Sequence, residues 1–297
     1  MTLPHSKAIN YTLAGASAVC AIVLTFVYST DTPLSGPSSQ AAPPPIVMLS
    51  PDSLTAKAVV IYDPGMKKML FAKNADESLP LASLTKLMTA EAVLSTVQDT
   101  GEEITITPED LTPDGDWGFK PGEAWPLSDL LRFGLVASSN DAMQAVSTAV
   151  PGDAITVMNM QASRLGLTKT YFNNPTGLDV DLETAGAYGS ARDMAVLGAT
   201  FLSQYPALFE ATVAPSVTIT EGARSLSADS TSVPLHYLPG LIAAKTGYTD
   251  LAGGNLVAAF DLNIGRPIVI AVLGSTEDGR FKDVEALLAA AQKALTH

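Results

Sequence analysis

A serine and a lysine lie one helical turn apart in the stretch "LPLASLTKLMTAEAVL", residues 79–94. Side chains at positions i and i+3 share one face of a helix, so Ser83 and Lys86 can reach each other. A neutral lysine amine can accept the proton of a serine hydroxyl if burial or a second ammonium lowers its pKa from about 10.4. The pair could therefore be a nucleophile and its general base. A Ser-x-x-Lys match alone is weak evidence, however, and also fits the polar edge of an ordinary helix.

The histidines offer little competition for the role of base. The chain has three, and only His236 lies away from the two termini. A Ser-His-Asp triad is therefore not expected, and no His-Glu-x-x-His helix or carboxylate cluster has the spacing of a metal site. We predict no metal and no cofactor, and a serine hydrolase built from this chain would need lysine as its base.

Two further short motifs supply the groups that such a base requires. Residues 138–140 read "SSN" at a break between two predicted helices, and residues 245–247 read "KTG" on a predicted strand. They add hydroxyl groups, an amide and a second ammonium to the Ser-x-x-Lys pair. Three motifs in this order are typical of penicillin-recognising serine enzymes, whereas each one alone is weak evidence.

The elements that must position these motifs can be predicted from the hydrophobic pattern. A hairpin turns at Asp63-Pro64-Gly65, where proline presets φ and glycine tolerates a positive φ. Three strand-like runs with short connections follow near the C-terminus, so neighbouring strands should pair antiparallel. The pattern predicts one α+β unit whose antiparallel sheet is built from both ends of the chain, with a helical insertion between them. The expected helices cover residues 83–97, 127–136, 141–150, 155–165, 190–204 and 281–294, and the expected strand runs cover 240–250, 253–262 and 266–275.

Longer stretches narrow the comparison to one family. The segments "PLASLTKLMTA", "ASSNDA", "YGSARDMA" and "KTGYTDLAGGNLVAA" resemble the low-molecular-mass penicillin-binding proteins, the serine-type D-alanyl-D-alanine carboxypeptidases. The similarity covers about residues 57–295. It implies a β-lactamase/transpeptidase-like fold, in which a five-stranded antiparallel sheet is flanked by helices and an all-helical lobe is inserted.

The resemblance also implies catalytic roles. Ser83 would be the acylated nucleophile and Lys86 its general base. Ser138 would relay a proton, while Asn140 would bind the substrate amide and steady Lys86. Lys245 would supply positive potential that helps to lower the pKa of Lys86.

A second set of residues is implied to bind the substrate. The Thr246 hydroxyl would bind the terminal carboxylate with help from Arg280, and Gly247 would let the strand approach the substrate closely. The backbone N–H groups of Ser83 and Tyr248 would form the oxyanion hole. Ser139 departs from the glycine usual at its position, and we expect this to cost little.

The implied activity is removal of the terminal D-alanine from peptidoglycan stem pentapeptides through an acyl-enzyme, with β-lactams as covalent inhibitors. A D,D-endopeptidase would use the same residues and remains an alternative. A class A β-lactamase needs a glutamate in a Glu-x-x-x-Asn loop, and residues 141–182 contain no glutamate. A non-hydrolytic β-lactam-binding module should have lost a motif residue, and none is lost.

The N-terminal part has a different composition. Residues 8–28 carry no charged side chain and as a helix would span roughly 30 Å, which fits a signal anchor or a signal peptide, so residues 1–28 are predicted to be a membrane segment. Residues 29–53 contain six prolines and are predicted to be a linker. Residues 54–297 should form the catalytic domain on the extracytoplasmic, periplasmic side. The net charge of -13 argues against a nucleic-acid partner.

Overall fold

A computed structural model describes residues 50–115, 117–262 and 265–295. The predicted membrane segment and nearly all of the predicted linker lie outside these residues, so both remain predictions. Within the described ranges, no helix combines the length and the apolar character needed to cross a membrane.

The chain begins and ends in the same sheet. The described strands are β1 (Ala58–Asp63), β2 (Lys68–Lys73), β3 (Leu79–Pro80), β4 (Glu103–Thr105), β5 (Ala124–Pro126), β6 (Tyr171–Phe172), β7 (Ala187–Gly189), β8 (Ser216–Glu221), β9 (Arg224–Asp229), β10 (Leu241–Thr249), β11 (Gly253–Asp261) and β12 (Pro267–Ser275). The main sheet has the order β10-β11-β12-β1-β2, and every neighbouring pair is antiparallel. The prediction of a five-stranded antiparallel sheet built from both ends of the chain is confirmed.

Six of the seven described helices match predicted ones to within about three residues at either end, and the short helix at Pro206–Glu210 was not predicted. The helices are α1 (Thr85–Thr96), α2 (Leu127–Val136), α3 (Asn140–Ser147), α4 (Ala154–Arg164), α5 (Ala191–Gln204), α6 (Pro206–Glu210) and α7 (Gly279–Leu295). The hairpin of β8 and β9 was not predicted. Its strands are only six residues long; β8 buries two side chains and β9 alternates half-buried and exposed ones, which is a weak signal in sequence.

The main sheet is buried on both faces because its strands alternate between two apolar layers. Val60 packs with the helical insertion, whereas its neighbours Val59 and Ile61 pack with Val284 and Leu287 of α7. Helix α5 covers the same face as Val60, against β1, β11 and β12. The sheet is thereby held rigid between α7 and the insertion, and its strand β10 forms one edge.

The turn of the first hairpin differs from the prediction in one detail. The residue with a left-handed backbone is Lys67 at φ 51°, not Gly65. The Asp63 carboxylate accepts a hydrogen bond from the Met66 N–H at 2.8 Å, which stabilises the turn.

Candidate active site

Ser83 does not lie in the first turn of an α-helix, as the sequence suggested, but in a 3-10 turn at Ala82–Leu84 that leads into α1. Ala82 before it has a left-handed backbone at φ 48°, a conformation that costs energy for a residue with a side chain. Strain next to a functional residue is common in sites where the surrounding structure fixes the geometry. The turn presents the half-buried Ser83 at the edge of the sheet.

Lys86 is fully buried, and its amine has three close neighbours. The Nζ atom lies 2.7 Å from Ser83 Oγ, 2.7 Å from Asn140 Oδ1 and 2.8 Å from the Thr176 carbonyl oxygen. Burial lowers the pKa of Lys86 from 10.5 to about 7, because the charged form loses its hydration. An amine with this pKa can act as a base at neutral pH.

The second motif lies where α2 ends and α3 begins. Ser138 has a left-handed backbone at φ 60°, and Asn140 starts α3. Ser139 between them is buried, and its hydroxyl caps α3 by accepting a hydrogen bond from the Ala142 N–H at 3.1 Å. The serine at position 139 is therefore compatible with the turn, because a serine N-cap stabilises a helix about as well as glycine or better by a few tenths of a kcal/mol.

The third motif lies on β10, at the edge of the main sheet. Lys245 is fully buried, and its Nζ donates hydrogen bonds to Ser138 Oγ at 2.7 Å and to the Thr246 carbonyl at 2.8 Å. Burial lowers the pKa of Lys245 well below its usual value, and the charges of Lys86 and Arg280 lower it further. The two lysines are thus close enough for the charge of one to affect the other. Asn140 bonds to Lys86, and Ser138, two residues before it, bonds to Lys245.

The predicted carboxylate-binding residues meet at the same place. A Cβ at Gly247 would lie 3.0 Å from the Ser83 backbone nitrogen, so only glycine allows this close contact between strand and turn. Arg280 of α7 donates through Nη1 to the Gly247 carbonyl at 2.8 Å. The Thr246 hydroxyl bonds to the Thr231 hydroxyl at 2.7 Å.

Three buried basic side chains meet here without a bonded carboxylate. Lys86, Lys245 and Arg280 take part in none of the ion pairs found among the described residues. Burial lowers the pKa of Arg280 as well. A buried positive cluster of this kind favours an anionic ligand.

Tyr248 differs from the other predicted site residues because it is half exposed. It lines a cavity of about 690 Å³ next to the motifs, together with residues of two loops. The cavity is bordered by Asp114, Asp179 and Leu182, among others. The structure therefore brings all of the predicted residues into one region, with Tyr248 at its open side.

Three contributing residues were not predicted. Thr176 supplies a carbonyl to Lys86, Asp114 supplies a carbonyl that accepts from Asn140 Nδ2 at 2.6 Å, and Thr231 bonds to Thr246. Two of these act through the backbone, which no side-chain motif records. Thr231 lies 15 residues before Thr246, in a segment whose spacing carries no signal.

Comparison with known proteins agrees with this architecture. The fold superposes on solved structures of D-alanyl-D-alanine carboxypeptidases and penicillin-binding proteins. A D-alanyl-D-alanine carboxypeptidase from Mycobacterium tuberculosis superposes with a TM-score of 0.73 at 23% identity, covering 85% of this chain and 94% of the other. Penicillin-Binding Protein D2 from Listeria monocytogenes, solved in its ampicillin-bound form, has a TM-score of 0.70 at 32% identity and covers 80% and 97%.

Residues 46–277 match the family described as D-alanyl-D-alanine carboxypeptidase, and the chain belongs to that family. D-alanyl-D-alanine carboxypeptidase DacF of Bacillus subtilis is 30% identical over 78% of this chain. DacC of Escherichia coli is 31% identical over 80% of it. The chain spans about 61% of the length of each of these two curated relatives. The predictions of the family and of the fold class are confirmed.

Proposed function

We propose that this protein is a serine-type D-alanyl-D-alanine carboxypeptidase that removes the terminal D-alanine from peptidoglycan stem pentapeptides. One observation carries the proposal: Ser83 Oγ lies 2.7 Å from the amine of a fully buried lysine, Lys86, inside a cluster of cations. A nucleophile, a base of lowered pKa and a receptor for an anion are the parts that cleavage next to a chain-end carboxylate requires.

The first half of the reaction forms an acyl-enzyme. Lys86 takes the proton of the Ser83 hydroxyl while Oγ attacks the carbonyl carbon of the penultimate D-alanine. The carbonyl oxygen becomes an oxyanion, which the N–H groups of Ser83 and Tyr248 would stabilise. The C–N bond then breaks, the terminal D-alanine leaves with a proton on its amine, and the acyl group stays on Ser83.

Ser138 is suited to deliver that proton. Its oxygen already accepts a hydrogen bond from Lys245 at 2.7 Å, so its own hydrogen is free to point at the leaving amine. The proton that Lys86 took from Ser83 would replace it once the bound substrate brings the two groups into contact, because the described bonds of Lys86 go to Ser83, Asn140 and Thr176. Water then attacks the ester, Lys86 acts as base once more, and the shortened peptide is released.

The chain end of the substrate would be recognised by charge. A free carboxylate placed near Thr246 would meet the buried cations Lys245 and Arg280, which have no carboxylate partner within the described site. Hydrogen bonds of carboxylates to cationic groups are about twice as strong as neutral ones. This preference favours removal of a terminal residue over cleavage inside a chain.

β-Lactams would acylate the same serine, and the ampicillin-bound Listeria relative is similar over 80% of this chain. The substrate places the enzyme on the extracytoplasmic side of the membrane. The N-terminal segment would tether it there, or would direct its secretion if it is cleaved.

The proposal is tested by intact mass and by product analysis on the full chain. Penicillin should add one equivalent of its mass to the wild type and none to Ser83→Ala, and a pentapeptide should lose D-alanine. Penicillin labelling without D-alanine release would overturn the carboxypeptidase assignment. Release from cross-linked dimers alone would instead identify an endopeptidase, and rapid turnover of penicillin a β-lactamase.

A further inference from the structure

The amine of Lys86 is held by two acceptors that come from outside its own helix. Asn140 Oδ1 belongs to α3 and lies 2.7 Å away, and the Thr176 carbonyl belongs to the loop after β6 and lies 2.8 Å away. The third neighbour is Ser83 Oγ at 2.7 Å. These three atoms account for the three hydrogen-bonding directions of the nitrogen.

Neither of these two groups can act instead as a hydrogen-bond donor to Lys86 in this arrangement. A backbone carbonyl only accepts hydrogen bonds. The Asn140 amide is fixed in orientation because its Nδ2 donates to the Asp114 carbonyl at 2.6 Å, which leaves Oδ1 to face Lys86. A neutral amine has two N–H bonds and one lone pair, so when the N–H bonds point to these acceptors the lone pair faces Ser83.

We propose that the Thr176 carbonyl, held in place by Asn174, acts with Asn140 to aim the lone pair of Lys86 at the Ser83 hydroxyl. Asn174 is therefore a positioning residue of the reaction. This inference rests on the proposed function, since it concerns the base of that reaction.

The turn that carries Thr176 is built from the Asn174 side chain. Asn174 Oδ1 accepts from the N–H groups of Gly177 at 2.7 Å and Thr176 at 3.2 Å, and its Nδ2 donates to the Leu178 carbonyl at 2.8 Å. The Thr89 hydroxyl of α1 donates to the Pro175 carbonyl at 2.7 Å. The turn is thereby bonded internally and to the helix that bears Lys86.

Gly177 completes the fit. It has φ +82°, and a Cβ there would overlap the carbonyl oxygen of Ala82. The turn thus packs directly against the residue that precedes Ser83. A change at either Asn174 or Gly177 should move the Thr176 carbonyl relative to both catalytic side chains.

The experiment compares Asn174→Ala with the wild type by stopped-flow acylation with penicillin over a range of pH. We expect the maximal acylation rate to fall about 10- to 100-fold, because misplacing a catalytic group by about 1 Å has an effect of this order. The dissociation constant of the initial complex should stay within about twofold, because Asn174 touches none of the proposed ligand-binding residues.

The pH profile separates positioning from simple loosening. The ammonium of Lys86 loses an acceptor in Asn174→Ala while it stays buried, so its pKa falls and the acid limb of the profile moves to lower pH. Asn140 on α3 and the turn are neutral, and the charged neighbour is Lys245 of β10, which the variant leaves unchanged. Entry of water would instead raise the pKa of Lys86 and move the limb to higher pH.

Gly177→Ala is the second variant, and Gly166→Ala is its matched control. Gly166 has a similar backbone at φ +73°, but a Cβ there meets nothing within 4 Å. Both changes strain a left-handed backbone, and only Gly177→Ala should slow acylation. If Asn174→Ala does not fold, the glycine pair tests the positioning role by the same measurements, the maximal acylation rate and the position of the acid limb.

A wild-type maximal acylation rate in folded Asn174→Ala or Gly177→Ala would overturn the positioning role. An acid limb that moves to higher pH in either variant would overturn it as well. Failure of the proposed function is distinct, because the wild type itself would then show no acylation at Ser83 or no release of D-alanine from a pentapeptide.

Discussion

Lys73 and Lys86 both donate to backbone carbonyls, and the difference between their surroundings separates a structural lysine from a candidate catalytic one. Lys73 at the end of β2 donates to the Ala56 carbonyl at 2.8 Å and to the Leu54 carbonyl at 3.3 Å, and its side chain is only half-buried. Lys86 donates to the Thr176 carbonyl from a fully buried position beside Ser83. The bonds are alike, and burial next to a hydroxyl is what makes Lys86 a candidate base.

The surroundings of the two lysines differ in the same way. Lys73 belongs to a clamp on residues 54–56, in which Asp283 of α7 accepts from the Thr55 and Ala56 N–H groups at 2.9 Å and from Ser275 Oγ at 2.7 Å. Both carboxylate oxygens of Asp283 accept hydrogen bonds in this clamp. The candidate site instead gathers buried cations and left-handed backbones, which is the pattern of a structure that gives up stability for function.

The largest effect is expected from exchanging lysine for arginine in each region. Lys86→Arg should reduce the rate of Ser83 acylation by about 1,000-fold or more, since a guanidinium stays protonated and cannot act as a base. Lys73→Arg, the matched control, should acylate at the wild-type rate because arginine still donates to two carbonyls. Stopped-flow acylation measures both, and normal acylation by Lys86→Arg would remove Lys86 from the role of base.

Breaking the clamp should reduce stability and leave acylation nearly unchanged. Asp283→Ala leaves the Thr55 and Ala56 N–H groups and the Ser275 hydroxyl without their acceptor, so we expect a loss of about 2–4 kcal/mol in the free energy of unfolding. The acylation rate at low temperature should change less than about threefold. Urea unfolding checks the first expectation, with Asp283→Asn as the control that keeps one acceptor oxygen. An inactive but fully stable Asp283→Ala would show that the clamp and the site are not separate.

The sequence was sufficient to predict the features that depend on side-chain type and on hydrophobic periodicity. The motif residues Ser83, Ser138 and Lys245 could be chosen because three patterns occur in order, and the sheet could be predicted from alternating strands at both ends. The roles of the Thr176 and Asp114 carbonyls could not be predicted, since every residue carries a carbonyl. Only the folded chain decides which carbonyl accepts a hydrogen bond from Lys86 or Asn140. The 3-10 turn at Ser83 was missed for a similar reason, because it packs against Gly177, a contact between distant residues that local propensity does not record.

A smaller effect is expected at the hydroxyl pair of the site. Thr231→Val keeps the shape of the side chain and removes the partner of Thr246, so the value of kcat/KM for a pentapeptide should fall about 10-fold, the equivalent of one hydrogen bond. Thr231→Ser should retain most of the activity because it keeps the hydroxyl. A steady-state assay of D-alanine release distinguishes the two, and equal activity of Thr231→Val and the wild type would show that Thr246 needs no partner.

The smallest effect is expected at Glu91, a buried carboxyl on the helix that carries Lys86. It is 4% exposed, its Oε2 atom has no hydrogen-bond partner, and burial raises its pKa above the ordinary 4.5. A carboxyl with a raised pKa in the folded state destabilises the protein increasingly as pH rises from its unfolded to its folded pKa. Glu91→Met should therefore increase the free energy of unfolding by about 1 kcal/mol at pH 8, and the gain should shrink as pH falls towards 4.5. Urea unfolding at several pH values tests this, and a loss of stability at pH 8 would mean that the Glu91 carboxylate is stabilised where it lies, as Asp283 is in the clamp.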